Sequence, residues 1–341
     1  MNFLQTAIAA IFVFLFVILF HEFGHFAVAK LVGIKVHEFS IGMGPKLYQK
    51  QTSETDYTIR ALPIGGYVRM EGEDERSNDP RSFNNKPIWA RMAVIVAGAI
   101  MNFILAIIVY SIISGIVGVP TTVIQEPIVD SPAHRAGLES GDSIIRINNK
   151  DVKSWNSIVV EISNAKADEE MEITILRNGE TKDIALIPTF NKEEERIMIG
   201  IAPVMEKGFL LSIKAGFQET GTILKLMFQF LGMLFRGEVT SDYLSGPIGV
   251  IHTIGDAAKY GFINVLSLMG YISVNLGFFN LLPIPALDGS RILFLIIELF
   301  RGKPMDPEKE GVIHLIGFVL LLGLMVFVTY TDIVRFKLLG R

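Results

Sequence analysis

The stretch Leu19–Lys30, LFHEFGHFAVAK, sets His21, Glu22 and His25 at the end of a long apolar run. On a helix, His21 and His25 stand one turn apart on a shared face, with Glu22 beside them. That is the H-E-x-x-H arrangement, in which two imidazoles bind zinc and the glutamate handles the protons of an attacking water. The alternative is a pair of histidines satisfied on a buried helix face. The setting weighs against it, because ionisable groups are costly in a bilayer segment and mark a functional site by default.

A catalytic zinc takes three protein ligands and keeps a fourth position for water. The third must be another His, Asp, Glu or Cys, and the chain has no cysteine. His314 lies inside a later apolar stretch, and Asp288 closes NLLPIPALDG. Asp288 is the better candidate: Pro283, Pro285 and Gly289 break helical hydrogen bonding and could hold its carboxylate at a fixed angle. Spacing alone leaves open a second role for Asp288, the N-cap of a helix over SRILFLIIELF.

The elements that must position these groups follow from composition. Of 341 residues half are hydrophobic and only 19% charged, and the mean hydropathy is +0.44. That is too apolar for an ordinary soluble protein. Four uncharged stretches, Asn2–Phe20, Met92–Pro120, Gly261–Leu287 and Gly311–Thr331, are long enough to cross about 30 Å of hydrocarbon. A net charge of −4 without a basic run speaks against a nucleic-acid partner. Ala27-Val28-Ala29 looks like a signal-peptide cleavage site. However, no basic residue precedes the apolar run, which is also longer than the roughly 7–15 residues of a signal segment.

These features divide the chain into four parts. Residues 1–120 form a membrane half with the His-Glu helix, a β-rich loop and the second span. Residues 121–205 form a soluble domain, with strands such as SIIRIN and MEITILRNGETKDIALI separated by turns such as Asn178-Gly179. Residues 206–260 read as an amphipathic helical linker, with a turn-rich break at Leu244–Val250 after its helix. Residues 261–341 form a second membrane half. In the first loop, PIGGYVRMEGE (Pro63–Glu73) has the residues of a strand or hairpin around Gly65, Gly66, Tyr67 and Val68. Lys30, Lys35, Lys86 and Arg91 border this loop, and Arg291, Arg301 and Lys303 border the last. Both loops are therefore expected on the cytoplasmic side, with the soluble domain outward. Arg335, Lys337 and Arg341 pull the other way.

HEFGH, AGAIMNFILA and NLGFFNLLPIPALDG, in this order along nearly the whole chain, resemble the site-2 proteases, in particular the RseP-type bacterial branch that cleaves anti-sigma factors. The resemblance implies one catalytic zinc on His21, His25 and Asp288, with Glu22 as general base. It places Asn102 in a second-span motif with Gly98. Asn275, Asn280, Pro283 and Pro285 fall in a third-span motif that holds substrate. Two departures stand out: Ala99 where many members have proline, and Ser290-Arg291 for a Gly-His pair. Pro63–Glu73 is similar to the family's membrane-associated hairpin. Such an edge strand could re-pair the backbone of an unwound substrate helix by strand addition. The other reading for Asn102, Asn275 and Asn280 is interhelical hydrogen bonding.

DSPAHRAGLESGDSIIRINNKDV (Asp130–Val152) resembles a PDZ domain, with Gly137 and Gly141 at turns and Leu138 packed inward. PDZ domains bind extended peptides or carboxyl termini by strand addition; the alternative is a rigid spacer. The expected fold is thus a polytopic α-helical membrane protein of about four spans, with an inserted α+β PDZ domain and a membrane-associated β-hairpin. Its expected activity is zinc-dependent cleavage of single-span membrane proteins or remnant signal peptides in a bacterial cytoplasmic membrane. A PDZ-bearing adaptor with a structural metal, or an ion transporter, stays open, although neither needs Glu22. His37, His134 and His252 are expected at the surface or an interface, His314 in helix packing, and Glu298 paired with Arg301 or Lys303.

Overall fold

A computed structural model describes residues 3–73, 77–167, 169–191, 195–238 and 245–336. In chain order the elements are α1 (Phe3–Leu31), β1 (Val36–Gln51), β2 (Asp56–Met70) and α2 (Ile88–Val117). Then follow β3 (Val119–Ile124), α3 (Pro132–Arg135), β4 (Ser143–Ile147), β5 (Lys150–Asp151), α4 (Trp155–Ser163), β6 (Met171–Arg177), β7 (Glu180–Leu186), β8 (Thr189–Asn191), β9 (Arg196–Met198) and β10 (Pro203–Glu206). The chain continues through α5 (Phe209–Phe235), α6 (Pro247–Lys259), α7 (Phe262–Leu281), α8 (Asp288–Arg301) and α9 (Pro307–Arg335). They form two compact units, 1–113 with 213–341, and 114–212.

In the first unit, α1, α2, α7 and α9 are long and apolar enough to cross a membrane. Large apolar side chains such as Ile8, Ile104, Phe318 and Phe327 face outward from them; around a membrane helix, lipid tails take the place of a protein core. α1 runs through the histidine stretch as unbroken helix, past the expected end of the span at Phe20. α7 stops at Leu281, six residues before the expected Leu287, because Pro283 and Pro285 lack the amide that would continue the helix. α2 is the most enclosed span and α9 the least. The 206–260 stretch is two helices, α5 and α6. α5 ends near Gly237, whose φ of +70° is open to glycine without strain. Leu244, at the expected break, lies outside the described residues.

The β1–β2 pairing is folded back on itself. Glu38–Ile41 pairs with Asp56–Ile59 and also with Gly66–Arg69, while Tyr48–Gln51 pairs with Asp56–Ile59 from the other side. Residues 66–70 thereby form an edge of this small sheet. A buried polar cluster fixes it: Glu38 accepts from Thr58 Oγ1 and Arg60 Nη2, both at 2.8 Å. Arg60 also reaches Tyr67 Oη (2.5 Å) and the Gly44 carbonyl (2.7 Å). Burial alone would push the Glu38 carboxyl up, but hydrogen bonds from Arg60 and Thr58 hold it at about 2.

The second unit has a sheet of order β10-β3-β4-β6-β7, with β5 on β4, and a separate β8–β9 pair. Its core joins Ile124, Ile144, Ile147, Ile158, Ile173, Ile175 and Leu138. Asn178 (φ +54°) and Gly179 (φ +84°) make the two-residue turn of the β6–β7 hairpin, the left-handed pair that a tight hairpin requires. His134 is exposed.

Candidate active site

One turn of α1 brings His21 Nε2 within 3.3 Å of His25 Nε2, the rings edge-on at 87°. Asp288 Oδ2 lies 3.2 Å from the first nitrogen and 3.4 Å from the second. A tetrahedral ion with bonds of about 2.0–2.1 Å would space its ligands roughly 3.3–3.4 Å apart. The three edges therefore match a metal triangle. Asp288 Oδ2 is buried and makes no hydrogen bond among the described residues, a costly state for a carboxylate oxygen unless it is kept for a ligand. Among the described residues this is the group of three side chains that could hold a metal ion.

Both imidazoles are oriented from behind. His25 Nδ1 lies 2.9 Å from the Val94 carbonyl and donates to it, which leaves the Nε2 lone pair facing the triangle. His21 Nδ1 lies 3.2 Å from Asn102 Nδ2, while Asn102 Oδ1 is buried without a partner. Rotating that amide by 180° places Oδ1 as acceptor for an Nδ1–H. It thereby gives His21 the same tautomer as His25, and amide orientation is assigned from hydrogen bonding in just this way. Asn280 Nδ2 approaches His21 Nε2 at 3.4 Å, from the side of the triangle. Gly98 keeps the space open: a Cβ there would fall 2.4 Å from His25 Nε2 and 2.8 Å from His21 Cε1.

A cavity of about 270 Å³ opens onto this triangle, lined among others by Glu22, Tyr67, Val68, Arg291 and His314. Glu22 also touches the edge strand, since a Cβ on Gly66 would meet Glu22 Cγ at 3.2 Å. Base candidate, metal triangle and strand edge thus share one cavity inside the first unit. Gly65, the residue before it in β2, has φ +87° and lies against Met43.

A family model, peptidase family M50, matches residues 9–324. The chain belongs to peptidase family M50. It is a metallopeptidase and a multi-pass membrane protein. It is 34% identical to the regulator of sigma-W protease RasP of Bacillus subtilis over 423 aligned positions, covering 98% of this chain and 99% of the relative. The zinc metalloprotease RasP of Geobacillus kaustophilus is 34% identical over 418 positions, with 98% and 99% covered. A homologue from Clostridium acetobutylicum is 40% identical over 336 positions, with 98% of each chain covered. Among solved structures, the PDZ domain of an SdrC-like protein from Listeria monocytogenes aligns with 25% of this chain and 88% of its own. The TM-score is 0.23 and the identity 21%.

Within this M50 peptidase the expected residues separate into two groups. His21, Glu22, His25, Asp288, Asn102, Asn280, Tyr67 and Val68 converge. Asn275 does not: its amide donates to the Tyr271 carbonyl one turn back, at 2.8 Å. Pro283 is exposed, and Pro285 packs against Gly317 of α9. Asp288 is the first residue of α8 while Leu287 is its N-cap, so its carboxylate is turned to the histidines rather than to the helix end. Glu298 pairs with Arg91 through two contacts of 3.0 and 2.5 Å, not with Arg301 or Lys303. His37 has a partner, Glu71 at 2.6 Å. His252 stacks on Phe336 and lies 3.1 Å from Asp256. Arg291, one of the departures from the family pattern, forms an ion pair with Glu73 at the cavity wall.

Proposed function

We propose that this M50 peptidase is a zinc-dependent intramembrane endopeptidase. It cuts single-span membrane proteins after another protease has removed their outer domain, with anti-sigma factors and remnant signal peptides as substrate classes. The observation that carries the reading is the triangle of His21 and His25 on the apolar helix α1 with Asp288 at the start of α8, and Glu22 in the same cavity. The name of the Bacillus subtilis relative, a regulator of sigma-W protease, supports the substrate class.

His21, His25 and Asp288 would hold one zinc ion. Zinc, when bound, acts as a Lewis acid and makes water nucleophilic near neutral pH. Glu22, in the same cavity, would take a proton from the attacking water and return it to the leaving amine. Asn102 and the Val94 carbonyl keep the two imidazoles in the ligating tautomer. Asn280 places its amide at the rim of the triangle, within reach of a substrate carbonyl. A substrate helix must be unwound before its amides can be cut, and backbone groups freed in lipid are costly. The Gly66–Met70 edge takes up those groups as an added strand, a few ångströms from Glu22.

The basic flanks of the two short loops support a topology with the active site near the cytoplasmic face and the 114–212 unit outside, in a bacterial cytoplasmic membrane. Arg335 opposes this; Lys337 and Arg341 lie outside the described residues. We read the outer unit as a PDZ domain that takes a peptide or carboxyl terminus. The test is cleavage of a single-span model substrate without an outer domain by purified protein in detergent. Wild type should cut it. Glu22→Gln should retain zinc yet lose about 10²–10⁴-fold in rate, and a zinc chelator should stop wild type. Undiminished cutting by Glu22→Gln would remove Glu22 from the mechanism, and zinc-loaded wild type that cuts nothing would favour an adaptor or transporter.

A further inference from the structure

Asp288 opens α8 directly after an irregular loop, and the sequence around it explains only part of its fixed position. The loop after α7 contains Pro283, Ile284, Pro285, Ala286 and Leu287. Its local hydrogen bonds are few: Ile284 N to the Leu282 carbonyl (2.7 Å) and Leu287 N to the Ile284 carbonyl (3.1 Å). Ala286 has φ +74°. That left-handed conformation is disfavoured for any residue with a Cβ, and a single alanine holds it only where its surroundings impose it.

The surroundings come from α9. Gly317 lies so close to the loop that a Cβ there would fall 2.2 Å from Pro285 Cβ. His314, three residues earlier on the same helix face, has its Nδ1 3.2 Å from the Ala286 amide. The amide donates, so Nδ1 carries the lone pair and the ring proton sits on Nε2, the nitrogen that lies 3.8 Å from Glu310 Oε1. Phe294 of α8 packs edge-on against the ring, at 5.7 Å and 83°. The imidazole thus packs against Phe294 while its Nδ1 accepts from the Ala286 amide, two residues before the ligand.

We propose that His314 is a positioning residue for the metal site. Through the Ala286 amide it imposes the left-handed turn that presents Asp288 to His21 and His25. This rests on the reading of Asp288 as a metal ligand. An apolar ring at position 314 would fill the same space yet leave the Ala286 amide without its acceptor in a half-buried loop. Ala286 would then relax towards negative φ, and Asp288 would swing with it. The proposal differs from simple packing in a checkable way: the acceptor matters, and the strain at 286 matters.

The experiment uses the full chain in detergent, loaded with cobalt(II). Two quantities are read, the metal Kd by chelator competition and the visible ligand-field spectrum, which reports ligand geometry without turnover. His314→Phe should weaken cobalt binding about 10–100-fold, the usual effect of losing a ligand's supporting partner, and change the spectrum. His314→Asn, which keeps an acceptor near Nδ1, should restore most of the affinity. Ala286→Gly in the His314→Phe background should restore part of it, since glycine adopts the turn without strain. Wild-type affinity and spectrum in His314→Phe would overturn the proposal. A loss that neither His314→Asn nor Ala286→Gly relieves would also overturn it and leave His314 a packing residue. Asp288→Asn runs alongside: if it binds cobalt as wild type does, the ligand reading itself fails, whatever the His314 variants do.

Discussion

Asp142 in the inserted unit and Asp288 in the membrane unit are both enclosed carboxylates, yet their oxygens are treated in opposite ways. Asp142 is 1% exposed. Arg177 donates to both of its oxygens, at 2.6 and 2.8 Å, and the Glu139 amide donates to Oδ2 at 2.8 Å. Arg177 in turn reaches the Gly137 carbonyl, so one ion pair ties the Gly137–Gly141 turn to β6. Among the described residues Asp288 Oδ2 has no hydrogen-bond donor, although two imidazole nitrogens crowd it. A carboxylate that serves the fold has its acceptors filled by the fold, whereas one that serves chemistry has them left open. The same contrast holds for amides: Asn275 spends its donor on its own helix, while Asn102 turns its amide to His21 Nδ1.

The largest expected effect comes from closing the open place. Gly98→Ala would push a methyl group to within 2.4 Å of His25 Nε2. It should reduce bound zinc by roughly 100-fold or more in affinity, beyond the 10–100-fold typical of support residues. Inductively coupled plasma analysis of purified protein gives the answer, and full zinc occupancy would mean that α1 and α2 can separate to make room. The aspartates come next, as a crossed pair. Asp288→Asn should lose the metal and peptide cleavage but leave the inserted unit's melting unchanged. Asp142→Asn should do the reverse. It keeps zinc and lowers the stability of the inserted unit by about 1.5–3 kcal/mol, the range for a hydrogen bond to a charged group. If Asp142→Asn also strips the metal, the two aspartates are not independent and the comparison breaks.

How much of this was legible beforehand depends on range. The His-Glu helix is legible because its three residues sit within one turn, where helix geometry alone puts them together. Asp288 is 267 positions beyond His21 by residue number; spacing left its N-cap role open, and the family resemblance favoured the ligand role. Gly98 and Asn102 are four apart on one helix, so a shared face could be read. What that face would meet, two imidazoles, could not. Arg91 and Glu298 show the same limit: local sequence offers Arg301 and Lys303 as partners for Glu298, and tertiary packing brings Arg91 instead. The folded-back pairing of Glu38–Ile41 was hidden too, because a strand's alternation gives no sign of a segment paired on both sides. His314 illustrates both limits, since its partner is a backbone amide that carries no mark in the sequence.

The smallest expected effect is a dependence on acid that belongs to one aspartate of the pair. Burial by itself would raise the Asp142 carboxyl, but the Arg177 hydrogen bonds and the Glu139 amide outweigh it and hold the group below the ordinary aspartate range. Its folded pKa therefore lies under its unfolded value of about 4. The unfolded chain takes up the proton first as pH falls. The pair's contribution to stability is complete above about pH 4 and is lost as pH drops through the lowered folded value. Amide hydrogen exchange in β4 and β6 of the full chain should thus hold steady from about pH 7 to 5, after correction for intrinsic rates, and show weakening protection below about pH 4. In Asp142→Asn the protection should be weaker throughout and lose that acid step. An acid step of equal size in Asp142→Asn would assign the titration to some other carboxylate, and the closed acceptors of Asp142 would then not be what secures this turn to the sheet.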